Sequence, residues 1–174
     1  ETRWEPSIDQ IKNAINENTK MIVLNYPNNP TGKTLPEKLL DSIMQTAKEH
    51  DLYVLSDEIY EDYYLKDWPK EILTYGYEKS IITKSFSKSF AMTGFRIGYA
   101  IAEPSIIEKM SKLQALSLTN VSEPIQYVAL QVIDSAFEAV QENAETIGAR
   151  LEILVESAKD IGLEFIEPDG AMYL

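Results

Sequence analysis

The sequence predicts an α/β domain built on a mainly parallel sheet, and three observations carry that expectation. Short β-rich apolar runs at 20–26, 52–56, 80–85 and 97–102 alternate with longer stretches of helical periodicity. Polar residues of chemical interest stand at the ends of the first three runs, and open α/β sheets bind ligands beyond the carboxyl ends of their strands. The intervals Asn29 to Asp57 and Asp57 to Lys88 are 28 and 31 residues. Each is close to the ~30 residues of one strand-helix-strand unit.

The elements follow in order. "KMIVLNY" (20–26) is apolar, β-rich and closed by prolines, so it reads as a buried strand. Pro36, expected in a first helical turn, opens a helix whose Leu39, Leu40, Ile43, Met44 and Ala47 share one face. "LYVLS" (52–56) and "SIITKS" (80–85) are the next strands, and "IGYAIA" (97–102) is the fourth. Pro104 opens another helix, and "SEPIQYVALQVI" reads as one more. A long helix then spans about 138–159, with Ile147, Leu151, Leu154, Val155 and Ala158 as its apolar stripe. Gly162 ends it, and "LEFIE" (163–167) reads as a strand after it.

Composition narrows the function. The 174 residues suit one sizeable domain, or one with part of another. With 16 basic against 28 acidic side chains the net charge is −12, which argues against nucleic acid or an anionic membrane as a partner. A small anion held by a few local cations stays open. Cysteine is absent, so thiolate metal sites and disulfides are excluded, and no metal is expected. His50, between Glu49 and Asp51, reads as a solvated helix end. No stretch reaches transmembrane length and no signal-peptide pattern opens the chain, so a cytoplasmic location is the expectation. The chain begins with Glu1 and stops in "GAMYL", an apolar run of strand character, so it reads as an internal fragment of a longer protein. Asn120-Val-Ser122 reads as a polar loop despite its glycosylation pattern.

"NYPNNPTGKT" (25–34) ends like a phosphate-binding nucleotide loop, but Pro27 occupies the place of that loop's first glycine. Proline has no N–H and a fixed φ, so it cannot help cradle a phosphate. Gly32 and Thr31 read as turn formers, and Lys33 is expected to be solvated. The candidates for chemistry are the polar groups at strand ends: Asn28 and Asn29, Asp57 and Tyr60, Ser85 and Lys88, with Arg96 leading into the fourth strand. Taken singly they have plainer readings. Asp57 with Glu58, Glu61 and Asp62 reads equally as a solvated acidic face or a divalent-ion site. Tyr63, Tyr64 and Trp68 read as packing or interface residues.

Four motifs in order, "PNNPTG", "SDEIY", "SFSK" and "AMTGFRIGY", resemble the fold-type I pyridoxal phosphate enzymes, specifically the class I/II aminotransferases related to aspartate aminotransferase. The resemblance runs from about Trp4 to Tyr173; Phe95 departs from it, where relatives often carry Trp. It implies a three-layer α/β/α large domain, of which 1–137 is part. Residues 138–174 would then be an interdomain helix and the beginning of a smaller α+β domain. It implies pyridoxal 5'-phosphate as cofactor, amino acid and 2-oxo acid as substrates, and a homodimer in the full-length protein. Lys88 matches the lysine that forms a Schiff base with the cofactor and then moves the proton. A lysine suits that role because its pKa drops readily on desolvation. Asp57 matches the carboxylate that keeps the pyridine nitrogen protonated. Tyr60 and Asn29 match the donors to the ring's phenolic oxygen, and Ser85 and Arg96 match phosphate ligands. The resemblance also implies that the isolated chain lacks parts of the family's site and is weakly active or inactive.

Three rivals remain at this point. Ser85-Phe-Ser-Lys88 is also an S-x-x-K nucleophile pattern, although companion motifs are missing. A carbon–sulfur lyase would share the cofactor residues. A non-catalytic regulator could retain the same fold.

Overall fold

A computed structural model describes residues 4–65 and 70–174; Trp68, expected in packing or an interface, lies outside the described residues. Four strands form one sheet in sequence order: β1 (Met21–Asn25), β2 (Tyr53–Asp57), β3 (Ser80–Ser85) and β4 (Gly98–Ala102). The pairs β1–β2 and β2–β3 are parallel, and β3–β4 is antiparallel. Parallel strands require a long crossover, usually a helix. α2 (Glu37–Glu49) supplies it between β1 and β2. Between β3 and β4 the chain has only a 3-10 turn, Thr93–Phe95, so β4 returns antiparallel.

Alternation along the strands separates two faces. Leu24, Val54 and Ile82 are buried in one cluster with Leu40, Ile43, Met44 and Ala47 of α2. That places four of the five expected stripe residues in the core, and Leu39 packs half-buried against it. Pro36 sits just before the helix, as its N-cap, rather than in its first turn. A short helix the sequence reading did not anticipate, α1 (Ile8–Ala14), lays Ile8 and Ile11 on the same cluster. On the opposite face Val23 is 63% exposed, Asn25 and Asp57 end β1 and β2, and Thr83 lies beside Asp57 near the end of β3.

Three more helices follow: α3 (Pro104–Ser117), α4 (Glu123–Ser135) and α5 (Phe137–Asp160). Leu151 and Ala158 of α5 are buried, and Ile147 packs against Tyr60 and Tyr63. Leu154, expected in the stripe, is instead 47% exposed. Gly162, at φ +71°, closes α5 in the left-handed conformation that glycine adopts without a Cβ clash.

The strand expected at 163–167 does not form, and "GAMYL" makes only an isolated bridge between Tyr64 and Gly170. A strand exists by virtue of a paired neighbour, and other groups take up this segment's backbone. The N–H groups of Asp169 and Gly170 donate to the Gly32 carbonyl at 2.7 and 2.9 Å, and Ala171 N donates to the Tyr63 carbonyl at 2.7 Å. Residues 168–173 therefore form a strap laid across the ends of β1 and β2.

Ile43 has no exposed surface. Ile43→Ala should cost about 2–5 kcal/mol by lost burial and a residual cavity. Gln45→Ala on the outer face of α2 should stay within about 0.5 kcal/mol. Urea unfolding of the full-length protein checks both.

Candidate active site

The site begins with register. Parallel pairing sets Asn25 beside Asp57 and Asp57 beside Thr83, three polar residues in a row at the carboxyl ends. Asn25 Nδ2 donates to Asp57 Oδ2 at 3.1 Å, and Thr83 Oγ1 donates to Asp57 Oδ1 at 3.0 Å. Both carboxylate oxygens are thus engaged and the group is fixed in orientation. Neither Asn25 nor Thr83 was singled out from the sequence. Their signal was positional, since parallel register sets each beside Asp57 on the same face.

After β1 the two asparagines have different tasks. Asn28 organises the turn: its Oδ1 accepts from Thr31 N and Oγ1 at 3.2 and 2.8 Å, and its Nδ2 donates to the Asn25 carbonyl at 3.1 Å. Asn29 faces the site, its Nδ2 donating to Tyr60 Oη at 3.2 Å. The Tyr26–Pro27 and Asn29–Pro30 peptide bonds flanking them are cis. Tyr60 is 2% exposed, and Lys88 Nζ lies 5.5 Å from the centroid of its ring. Tyr63, one turn on, donates from Oη to the Lys88 carbonyl at 2.7 Å. Asn143 of α5 donates to the neighbouring Ser89 carbonyl at 3.2 Å. Phe86 is buried with Met92 and Ala129 of α4. The loop bearing Lys88 is therefore pinned from three elements.

The Gly-Lys-Thr turn is not solvated, contrary to the sequence reading. Lys33 is 8% exposed and its Nζ lies 2.5 Å from Asp169 Oδ2. Gly32 adopts φ +65°, and a Cβ there would stand 2.6 Å from Pro168 Cβ. No larger residue fits where the strap crosses the turn. That clamp brings Tyr173 to the site, its Oη 2.5 Å from Tyr60 Oη with the rings edge to face at 5.6 Å. Tyr173 also escaped the sequence reading, because only this crossing places it there.

The acidic run after β2 divides in two. Asp57 belongs to the row above, whereas Glu58 and Glu61 pair with Lys84 on the helical side of the sheet. Ser56 Oγ also donates to Glu58 at 2.9 Å. Burial pushes both glutamates above the usual carboxylate range, partly offset by Lys84 and, for Glu58, by Ser56. Among the described residues no group of three or more His, Asp and Glu side chains converges as metal ligands.

Two candidates stand apart from the network. Ser85 Oγ accepts from Ser87 N at 3.1 Å and so shapes the turn before Lys88. That contact gives no support to an S-x-x-K nucleophile. Arg96 is exposed and donates to the Thr93 carbonyl at 3.0 Å, with φ +53°, a conformation strained for a residue with a Cβ. Among the described residues neither Lys88 nor Arg96 has a carboxylate partner, whereas Lys33 and Lys84 do.

The family model for aminotransferase class I and II matches residues 1–174. The aspartate aminotransferase of Pyrococcus horikoshii is 37% identical over 180 residues, covering 100% of this chain and 46% of the relative. An aromatic-amino-acid aminotransferase of Thermococcus litoralis is 34% identical, again over 100% of this chain and 46% of its own length. A double mutant of the Thermus thermophilus aspartate aminotransferase superposes with a TM-score of 0.92 at 32% identity, over 97% of this chain and 45% of that structure. The chain thus spans about half the length of the relatives it matches.

The Glu58 cluster yields a prediction with a definite sign. A carboxyl raised above its unfolded value, 4.5, adds stability at low pH that is lost as pH rises through the folded value. Glu58→Gln removes that titration. Relative to wild type it should therefore gain stability between pH 5 and pH 8, as read by urea unfolding of the full-length protein at both.

Proposed function

The chain belongs to the class I and II aminotransferases, and on that premise we propose that it is the lysine-bearing part of a pyridoxal phosphate-dependent transaminase. The full-length protein would exchange the amino group of an amino acid for the carbonyl oxygen of a 2-oxo acid, as a homodimer in the cytoplasm. The observation that carries the reading is the hydrogen-bonded row Asn25–Asp57–Thr83 beside Asn29, Tyr60 and Lys88.

The donor set fits the cofactor. Asp57 offers a fixed carboxylate for a ring nitrogen. Tyr60 and Asn29 offer neutral donors for a phenolic oxygen, Lys88 a primary amine for an aldehyde, and Ser85 and Arg96 a hydroxyl and a planar guanidinium for a phosphate. When bound, pyridoxal phosphate supplies an aldehyde that condenses with amines and a protonated ring that takes up an electron pair.

The chain's own residues supply positioning and proton transfer. Asp57, held by Asn25 and Thr83, keeps negative charge at one place and is not free to rotate away. Lys88 Nζ would take a proton from the α-carbon of the amino acid and, in the reverse half of the exchange, deliver one to the α-carbon formed from the 2-oxo acid. Tyr63 fixes the backbone from which that amine projects. Lys88 and Arg96, without carboxylate partners among the described residues, are the cations left for anionic groups at this end of the sheet.

Absorbance of the full-length protein tests the reading. A bound-cofactor band should appear with pyridoxal phosphate and vanish in Lys88→Ala, with turnover down by at least about 10²–10⁴. A donor panel including aspartate and aromatic amino acids, with 2-oxoglutarate as acceptor, then identifies the substrate. A protein that stays colourless with pyridoxal phosphate yet is acylated by a β-lactam would overturn the assignment.

A further inference from the structure

We propose that Tyr173 is a positioning residue for Tyr60. Its phenol donates a hydrogen bond to Tyr60 Oη, so that the Tyr60 proton is directed into the site, and the Lys33–Asp169 ion pair holds Tyr173 where it can do so. The inference rests on the reading of Tyr60 as a donor to the cofactor.

The argument starts from the valence of a phenol oxygen, which carries one proton and accepts through its lone pairs. Asn29 Nδ2, which can only donate, already approaches Tyr60 Oη at 3.2 Å. Tyr173 Oη approaches the same atom at 2.5 Å. When Tyr173 donates as well, the accepting positions of Tyr60 are occupied and its proton is free to point outward. Two donors on one oxygen also stabilise the charge that grows there as Tyr60 shares its proton, which strengthens it as a donor. Tyr173 itself is suited to keep its proton. Burial first, and then the bond to Tyr60, raise it above the usual phenol range, opposed only by the positive charge of Lys88. Among the described residues the groups facing this pair are Lys88, from the loop after β3, and Tyr63, from the turn after β2.

Tyr173 depends on the strap for its place. Three independent attachments fix that strap. Lys33 pairs with Asp169 inside the protein. The Gly32 carbonyl accepts from Asp169 N and Gly170 N. Gly170 lies so close to the Tyr63 carbonyl that a Cβ would stand 2.5 Å from it. The Lys33 that resembles a nucleotide-loop lysine is thus the anchor of a tyrosine at the far end of the sequence.

The test uses the full-length protein without cofactor, with tyrosine rings labelled for carbon NMR and the Tyr60 signal assigned by Tyr60→Phe. Tyr173→Phe keeps the ring and its packing but removes the donor. It should raise the Tyr60 titration midpoint by about one pH unit, a tenfold change in proton affinity. Its affinity for added pyridoxal phosphate should fall severalfold while the thermal melt stays close to wild type. Lys33→Met and Asp169→Asn should shift Tyr60 in the same direction, and Lys33→Met should add nothing to Tyr173→Phe. An unchanged midpoint in Tyr173→Phe overturns the proposal. A lowered midpoint also overturns it, since Tyr60 would then be donating to Tyr173. A shift in Tyr173→Phe that neither Lys33→Met nor Asp169→Asn reproduces overturns the anchoring role. Failure of wild type to bind pyridoxal phosphate defeats the proposed function instead, and the cofactor-free titration distinguishes the two.

Discussion

Parallel register between β1, β2 and β3 is the constraint on which the site depends. Because Asn25, Asp57 and Thr83 are paired across three strands, one carboxylate receives a hydrogen bond on each oxygen. A slip of one residue would turn Asp57 to the other face of the sheet, among the apolar side chains that pack on α2. Register is held by burial on that other face. Leu24, Val54 and Ile82 cannot leave the cluster with Ile43 and Met44 without exposing apolar surface. The polar row and the apolar core are therefore two sides of one alternation, and the stability of one face enforces the geometry of the other.

The remaining groups are mounted on loops, and each loop is fixed by contacts distant in sequence. Tyr63 binds the Lys88 carbonyl, Asn143 the Ser89 carbonyl, and the strap binds the turn at Gly32. Backbone carbonyls are the preferred targets, which suits a site whose side chains must remain available. Lys33 and Lys84 show the same economy in charge. Both are largely buried, and each is neutralised by carboxylates away from the strand-end row.

How much of this could be read from the sequence depended on how local the cause was. The four strands and the faces of α2 follow from periodicity, and the four motifs were enough to suggest the family. The errors fell where distant segments meet. "LEFIE" has strand composition, but strand formation requires a partner, and its neighbourhood instead holds a strap satisfied by Gly32 and Tyr63. Leu154 fits an apolar stripe, yet the part of α5 that packs against Tyr60 and Tyr63 is centred on Ala144 and Ile147. Lys33 reads as solvated because it precedes a helix in a polar turn, and its carboxylate partner is remote in sequence. Asp169 lies 136 residues away, so only the folded chain reveals the pair. Tyr173, Asn25 and Thr83 share that limitation, since their chemistry is ordinary and only their placement is informative.

Charge gives the last step. The chain as a whole carries −12, so its average field repels anions, and on the proposed reading an anionic cofactor would have to be attracted locally. Lys33 and Lys84 are already matched by carboxylates and contribute little attraction outward. Lys88 and Arg96, both on the segment between β3 and β4, have no carboxylate partner among the described residues. Arg96 also holds a left-handed backbone, which costs some strain. On the proposed reading, that cost serves a segment that receives an anion. Asp57 would then meet one end of the cofactor and Lys88 and Arg96 its other groups. Its orientation would follow from which ions the fold neutralises for itself and which it leaves for the ligand.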